Sequence, residues 1–260
     1  MNSDQEKREF VKNDNHIVSV IVPTLGRPTI AETKAALAKQ TRPADELIIV
    51  LDKDRRGPSW ARNEGIRRAK GDLIAFTDDD CIPPPDWIER LVNTIDERDA
   101  AGAGGTFQET DPLLNEIRQL RTRLGEGRQN AGNSGNIMYK RSWFDICTRE
   151  DGYVFNSSFW SSSGEDWELV WRLLNRGAKL VFVHNPVTHL RRVSAASYLC
   201  HQFGRGIGIS LLYKFQRSAK NSVPTQESLI WGQPHGASGA TWLTALWQKA
   251  VGPFEMNHFT

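Results

Sequence analysis

The stretch Asp72-Leu-Ile-Ala-Phe-Thr-Asp-Asp-Asp-Cys-Ile-Pro-Pro-Pro-Asp-Trp87 organises the reading of the whole chain. Residues 73–76 are a short apolar run of the kind that fills a buried strand. They deliver Asp78, Asp79 and Asp80 to that strand's carboxyl end. Open α/β sheets bind their ligands at such ends. Three adjacent carboxylates repel one another unless a cation lies among them, and a hard divalent ion with oxygen ligands meets that need. The same triplet also reads as a solvated acidic turn, because Asp is common at strand ends as a turn former and helix cap.

Upstream, residues 17–22 form a near-continuous β-branched run that ends at Pro23 and Thr24, with Gly26 and Pro28 just beyond: a buried strand, then a tight loop. Residues 29–40 carry Ile30, Ala31, Leu37 and Ala38 among Lys and Glu, which predicts an amphipathic helix over the sheet. Residues 46–51 form a second strand ending at Asp52, completing a right-handed βαβ unit. A basic loop, 53–56, leads to Gly57-Pro58-Ser59, where Ser59 is placed to cap a helix running to Gly71. That helix start, flanked by Arg55, Arg56 and Arg62, is either a diphosphate seat or a solvated basic loop.

Downstream, Asp86 is expected to cap a helix through Ile88, Leu91, Val92 and Ile95. Residues 101–107 are small and Gly-rich and predict an interior strand with close backbone approach. The Arg-rich stretch 111–129 reads as a mobile segment over the site or as a solvated helix. Residues 133–139 look like a loop entering a strand, whose glycines would let a substrate approach backbone; donor choice is expected to depend on Gly105 and the loop 133–136. Glu165 and Asp166 open an amphipathic helix that stops at Gly177, and the helix dipole there favours ionised carboxylates. A last strand, 179–183, is followed by His184 and His189; a metal-ligand role for His189 and a structural one are both open at this level.

At 260 residues the chain is long enough for one large α/β domain with an appended tail. A net charge of +2 argues against a dedicated nucleic-acid binder. Cys81, Cys147 and Cys200 lack metal-ligand spacing and read as reduced thiols, with Cys81 a packing residue beside the acids. No apolar run reaches membrane-spanning length and residues 1–14 are polar, so the expected location is the cytoplasm.

Taken in order, the strand ending in Val-Pro-Thr, the strand ending in Asp52, the Ala-Arg-Asn helix of 61–63, the Asp-Asp-Asp strand end and Gly-Glu-Asp-Trp at 164–167 resemble the inverting nucleotide-sugar glycosyltransferases of family 2. The resemblance covers roughly residues 17–192. It implies a GT-A fold: a Rossmann-like, mixed but mainly parallel α/β sheet with helices on both faces. It further implies that Pro23, Thr24 and Asp52 hold the nucleotide base and that Arg62 lies near base and phosphates. Asp78 and Asp80 match the ends of the Asp-X-Asp motif, the first near ribose or metal, the second on Mg²⁺ or Mn²⁺. Asp79, between them, falls in the donor-binding set as its most replaceable member, and Asn136 is placed there too. The catalytic base falls on Asp166 with Glu165 beside it. The metal-binding histidine matches His189, with His184 as the fallback.

By this resemblance the donor is a UDP-, GDP- or dTDP-linked sugar and the acceptor a glycan, lipid-linked or other hydroxyl, with a place in cell-surface polysaccharide biosynthesis. Polymer-extending members carry Gln-X-X-Arg-Trp, whereas this chain has Gln202-Phe203-Gly204-Arg205-Gly206, so processive synthesis is not expected. The alternatives are a sugar-phosphate nucleotidyltransferase and a non-catalytic nucleotide-sugar-binding protein; against the former, the segment 23–28 offers only Gly26 for a triphosphate loop. The expected organisation is a flexible N-terminus over 1–15, the catalytic domain over 16–195, and a helical, basic segment and tail over 196–260. Within the last, 198–220 mixes apolar residues with Arg205, Lys214, Arg217 and Lys220 and holds no acid. Such a segment can lie on the anionic inner face of a membrane or pack onto the catalytic domain.

Overall fold

The computed structural model describes residues 16–123, 133–159, 164–200, 202, 203, 206 and 210. The β-branched run forms strand β1 (Val18–Thr24), followed by helix α1 (Ile30–Leu37), strand β2 (Glu46–Leu51), helix α2 (Pro58–Arg68) and strand β3 (Leu73–Thr77). Next come β4 (Cys81–Ile82), α3 (Trp87–Arg98), β5 (Gly102–Gly104), β6 (Phe107–Glu109) and α4 (Pro112–Arg123). The described elements end with β7 (Asn136–Lys140), α5 (Arg141–Asp151), α6 (Glu165–Asn175), β8 (Leu180–Phe182) and β9 (Val187–His189).

Six strands make one sheet in the order β2-β1-β3-β7-β5-β8. β2, β1 and β3 are parallel, as are β5 and β8, while β7 runs antiparallel to both of its neighbours. Alternation along the strands sorts the core. Val18, Val20, Val22, Leu73 and Ala75 pack with Leu37 of α1 and with Trp87, Ile88, Leu91 and Ile95 of α3. Ile21, Ile74 and Phe76 pack on the other face with Ala61 and Ile66 of α2, Phe144 of α5, and Leu169 and Leu173 of α6. Helices therefore cover both faces, as the sequence predicts. A second, three-stranded sheet, β4-β9-β6, lies beyond the acid triplet.

Several local expectations change. α2 begins at Gly57, whose φ of 100° suits glycine, with Pro58 in the first turn; Ser59 does not cap it, and its hydroxyl donates instead to the Asn156 carbonyl at 3.0 Å. Asp86 precedes α3 without a side-chain cap bond and pairs with Arg90 at 2.5 Å. Residues 101–107 yield two short strands rather than one, because the chain leaves the main sheet after Gly104 to start the small one. The stretch 111–129 is helical over Pro112–Arg123, and 124–129 lie outside the described residues, as does the tail 218–260. Residues 195–200 are helical, with Leu199 and Phe203 exposed. No helix among the described residues is long and apolar enough to cross a membrane.

Gly65 lets α2 lie on β1: a Cβ there would meet Ile21 Cγ2 at 2.4 Å. In an open helix Gly→Ala stabilises by about 1 kcal/mol, but overpacking a core costs about 1–3 kcal/mol, and the β-branched Ile21 cannot swing aside. Gly65→Ala is expected to destabilise the protein in urea titration, and Ile21→Ala in the same background is expected to recover part of the loss. A stabilised single variant would contradict this packing.

Candidate active site

The three acids at the end of β3 are not equivalent. Asp78 remains partly exposed and accepts from Arg62 Nη2 at 3.3 Å. Asp79 is buried; it accepts from Thr24 Oγ1 at 2.5 Å and faces Arg27 Nη1 at 3.4 Å. Asp80 is buried as well, with Arg27 Nη1 at 3.1 Å on one oxygen and His189 Nε2 at 3.4 Å on the other. Asp79, expected to be the replaceable middle residue, has partners of its own in Thr24 and Arg27. Burial pushes its carboxyl above the ordinary range, against the hydrogen bond from Thr24 and the charge of Arg27, and a smaller residue would leave a buried hydroxyl without its acceptor.

The small sheet builds the far side of the site. β9 pairs with β4 so that His189 lies opposite Cys81, and with β6 so that His189 lies opposite Glu109. His189 Nδ1 lies 3.1 Å from Glu109 Oε2, and its ring sits 5.6 Å from the Phe107 ring. Burial disfavours the imidazolium, but the hydrogen bonds to Asp80 and Glu109 outweigh it and raise His189 to about 9. Burial likewise disfavours the Asp80 carboxylate, yet His189 and Arg27 hold it below the ordinary range.

Ligand atoms of Asp80, Cys81 and His189 lie within 4.8 Å of one another. The Cys81 thiol is fully buried and pushed well above its ordinary value by burial and then by the charges of Asp78 and Asp80, so it stays protonated and packs. A carboxylate oxygen and an imidazole nitrogen, the latter oriented through its other nitrogen by Glu109, suit a divalent cation such as Mn²⁺ or Mg²⁺. His184 is exposed and lines a cavity with Thr94, Arg98 and Lys179 instead, so of the two histidines the geometry favours His189.

On the opposite side of Asp78, Gly164 takes φ 108° and turns the chain into α6. Glu165 is buried, and its Oε1 accepts from Arg62 Nη1 at 2.8 Å. Arg62 is itself buried on α2, so one guanidinium bridges the β3 acid and the α6 acid. Asp166 is partly buried, with its carboxylate accepting the backbone N–H of Trp167 at 2.9 Å and that of Ser134. Burial raises its pKa, opposed by Arg62 and these N–H groups and reinforced by the charge of Asp78. Burial and the neighbouring Asp166 likewise raise Glu165, against Arg62.

The remaining predicted residues divide. Pro23 and Thr24 stand at the carboxyl end of β1 next to the acids. Asp52 is buried, and its two oxygens accept the backbone N–H groups of Arg56 and Gly57 at 2.9 and 2.8 Å, shaping the basic loop. Arg56 pairs with Asp54 and lies over the Trp60 ring. Asn136 departs from its expected place in the donor-binding set: it is fully buried, its Nδ2 donates to the Thr106 and Asn185 carbonyls, and its Oδ1 accepts from Trp87 Nε1. Gly105 is enclosed too, since a Cβ would meet the Val183 carbonyl at 2.8 Å. Gly135 is the loop residue at the site, where a Cβ would meet Asp78 Oδ2 at 2.7 Å. Sequence reasoning passed over Arg27 and Glu109; Glu109 carries no local signal, whereas Arg27 follows the Val-Pro-Thr strand end by three residues.

A mixed, mainly parallel sheet with ligand-bearing strand ends and helices on both faces is similar to GT-A glycosyltransferase structures. A mannosyltransferase from Pyrobaculum calidifontis, solved in complex with GDP-Man and Mn²⁺, superposes with a TM-score of 0.59 at 17% identity, covering 82% of this chain and 68% of that one. Residues 51–151 match the family model described as glycosyl transferase family 2. That match spans Asp52, Arg62 and the acid triplet, and the resemblance read from the sequence agrees with it over this segment. The glycosyltransferase AglE of Haloferax volcanii is 26% identical over 150 residues, covering 55% of this chain and 47% of that protein. The succinoglycan biosynthesis protein ExoM of Rhizobium meliloti is 26% identical over 219 residues, covering 69% and 70%. The chain spans about half the length of AglE.

The His189 ion network has a pH signature in protein stripped of divalent ions. Folding raises this imidazole from its ordinary value of about 6.5 to about 9, so folding favours its protonated form. The resulting stabilisation is fully present below pH ~6.5 and is lost as pH rises through about 9, by up to about 2–3 kcal/mol. Denaturation in the presence of a chelator between pH 6 and 9.5 is expected to show this decline, and His189→Gln is expected to flatten it. Parallel curves for the two proteins would contradict the assignment.

Proposed function

We propose that this chain is an inverting, non-processive glycosyltransferase that moves a sugar from a nucleoside-diphosphate donor to an acceptor hydroxyl with Mg²⁺ or Mn²⁺. The observation that carries the reading is that Asp80 meets His189 while Arg62 ties Asp78, in the same triplet, to Glu165 next to Asp166. Asp80 and His189 would hold the ion, and Asp78 would be its ribose-side or metal-side companion. When bound, the ion supplies a Lewis acid that offsets the charge on the departing diphosphate.

The chain's own groups perform the rest. Asp166 is the proposed base: it takes the proton from an acceptor hydroxyl that attacks the anomeric carbon from the face opposite the leaving group, which inverts the centre. Its raised pKa suits this task, because a base works best when its pKa lies near the working pH. Glu165, locked on Arg62, stands behind it. Pro23, Thr24 and Asp52 frame the pocket for the nucleotide base, with Arg62 beside it; Asn136 leaves this set because its amide is committed to Trp87, Thr106 and Asn185.

The mannosyltransferase neighbour was solved with GDP-Man and Mn²⁺, which supports a nucleotide-sugar donor and a divalent ion here. ExoM, named for succinoglycan biosynthesis, supports a glycan or lipid-linked glycan acceptor in polysaccharide assembly. The proposed catalytic domain spans 16–195, and the proposed location is the cytoplasm, with 198–220 resting on the inner membrane face. Most of 198–220 lies outside the described residues, and the exposed Leu199 and Phe203 within it support that location.

Incubation of purified protein with Mn²⁺ and a panel of UDP-, GDP- and dTDP-sugars is expected to give slow hydrolysis of one donor, fixing base and sugar together. Asp166→Asn is expected to retain donor binding and to lower transfer by about 10²–10⁴-fold. Ordinary turnover by that variant would sink the assignment of the base.

A further inference from the structure

We propose that Arg27 is a resident counter-cation: it occupies the acid cluster while no divalent ion is bound, competes with that ion for Asp80, and serves the donor's diphosphate once displaced. This rests on the metal-dependent reading above and adds a residue that reading does not contain.

The geometry sets Arg27 apart from the other cations of the site. Its Nη1 lies 3.1 Å from Asp80 Oδ2 and 3.4 Å from Asp79 Oδ1, while Asp80 Oδ1 faces His189 Nε2 at 3.4 Å. One buried carboxylate thus stands between two cations. A divalent ion on Asp80 would set a double positive charge against the carboxylate that Arg27 already meets at 3.1 Å. The guanidinium would then stand beside a like charge, and it becomes the group that must yield.

Arg27 can yield, whereas Arg62 cannot. The Arg62 side chain is 7% exposed with its two terminal nitrogens on Glu165 and Asp78, while that of Arg27 is 54% exposed. The backbone of Arg27 is held by the turn at Gly26, with φ 83°, and by its carbonyl accepting from Ile30 N–H at 3.2 Å. A long side chain on a fixed root can rotate from carboxylate to phosphate without moving the loop. Its planar fork matches phosphate oxygens as well as carboxylates. The loop also follows Thr24, at the strand end where a ligand of this sheet would bind.

The experiment follows free Mn²⁺ by electron paramagnetic resonance in the full chain, first without nucleotide and then with UDP or GDP titrated at saturating Mn²⁺. Arg27→Gln is expected to bind Mn²⁺ alone about three- to tenfold more tightly than the parent, the size expected for removing one partly screened charge. It is expected to bind the better of the two nucleotides about tenfold more weakly. Arg27→Lys, which keeps the charge and loses the fork, is expected to keep the parent's Mn²⁺ affinity. Equal or weaker Mn²⁺ binding by Arg27→Gln overturns the competition, and undiminished nucleotide binding overturns the diphosphate role. If neither parent nor variant binds Mn²⁺, the metal-dependent reading falls and this proposal falls with it. Binding by the parent without a difference in the variant removes this proposal alone.

Discussion

Three carboxylates in sequence at the end of a buried strand repel one another, and the surrounding structure answers that repulsion acid by acid. Asp78 meets Arg62 from α2, Asp79 meets Thr24 and Arg27 from the end of β1 and its loop, and Asp80 meets Arg27 and His189 from β9. Each partner arrives on a different element, so the triplet fixes where α2, the β1 loop and the small sheet must stand. The aromatic cluster of Phe76, Tyr139, Phe144 and Phe155 packs beneath them, with Phe155 against the Arg62 guanidinium at 5.6 Å. The apolar core sets the direction of β3, and the ion pairs set what gathers at its end.

The antiparallel β7 is the hinge between those two demands. It carries Asn136, which ties Trp87 of α3 to the carbonyls of Thr106 and Asn185. Thr106 and Asn185 lie where the chain leaves β5 and β8 for the small sheet. A buried amide with all of its partners satisfied can hold three segments in register, at the cost that none of them tolerates its loss. The small sheet therefore departs from the main one at a fixed angle, and its register then brings His189 opposite both Cys81 and Glu109.

These causes explain what could be read from the chain. Short apolar, β-branched runs closed by Pro-Thr or by Asp gave β1, β2 and β3 and the parallel β1–β2 unit, because strands of a parallel sheet leave a local signature. Glycines and paired acids placed α6, and the ordered motifs singled out Arg62, Asp80 and Asp166, which the fold brings to α2, the end of β3 and the start of α6. Glu109 was invisible, since its role exists only through the β6–β9 register, which no local pattern encodes. Asn136 was misassigned for a related reason: a short polar residue in a Gly-rich loop looks accessible, and only the fold shows it fully buried. The contacts of Asp79 to Thr24 and Arg27 were not legible because a motif marks its ends and is silent about the residue between them. Ser59 failed as a cap because Pro58 already occupies the first turn and Gly57 supplies the entry angle.

The Arg62–Glu165 pair shows which force is being served. Burying two charges costs several kcal/mol each before their attraction is counted, and apolar replacements of such pairs are often neutral or stabilising. Stability alone therefore gives weak reason to keep them. Replacing the pair, however, would leave Asp78 without its partner and Asp166 without the nearby positive charge that opposes its burial. Burial would then act on the Asp166 carboxyl with its main opposing charge removed. The pair ties the end of β3 to the start of α6 and sets a positive charge beside Asp166, so the cost of burying it falls on the fold while the placement it gives serves the site.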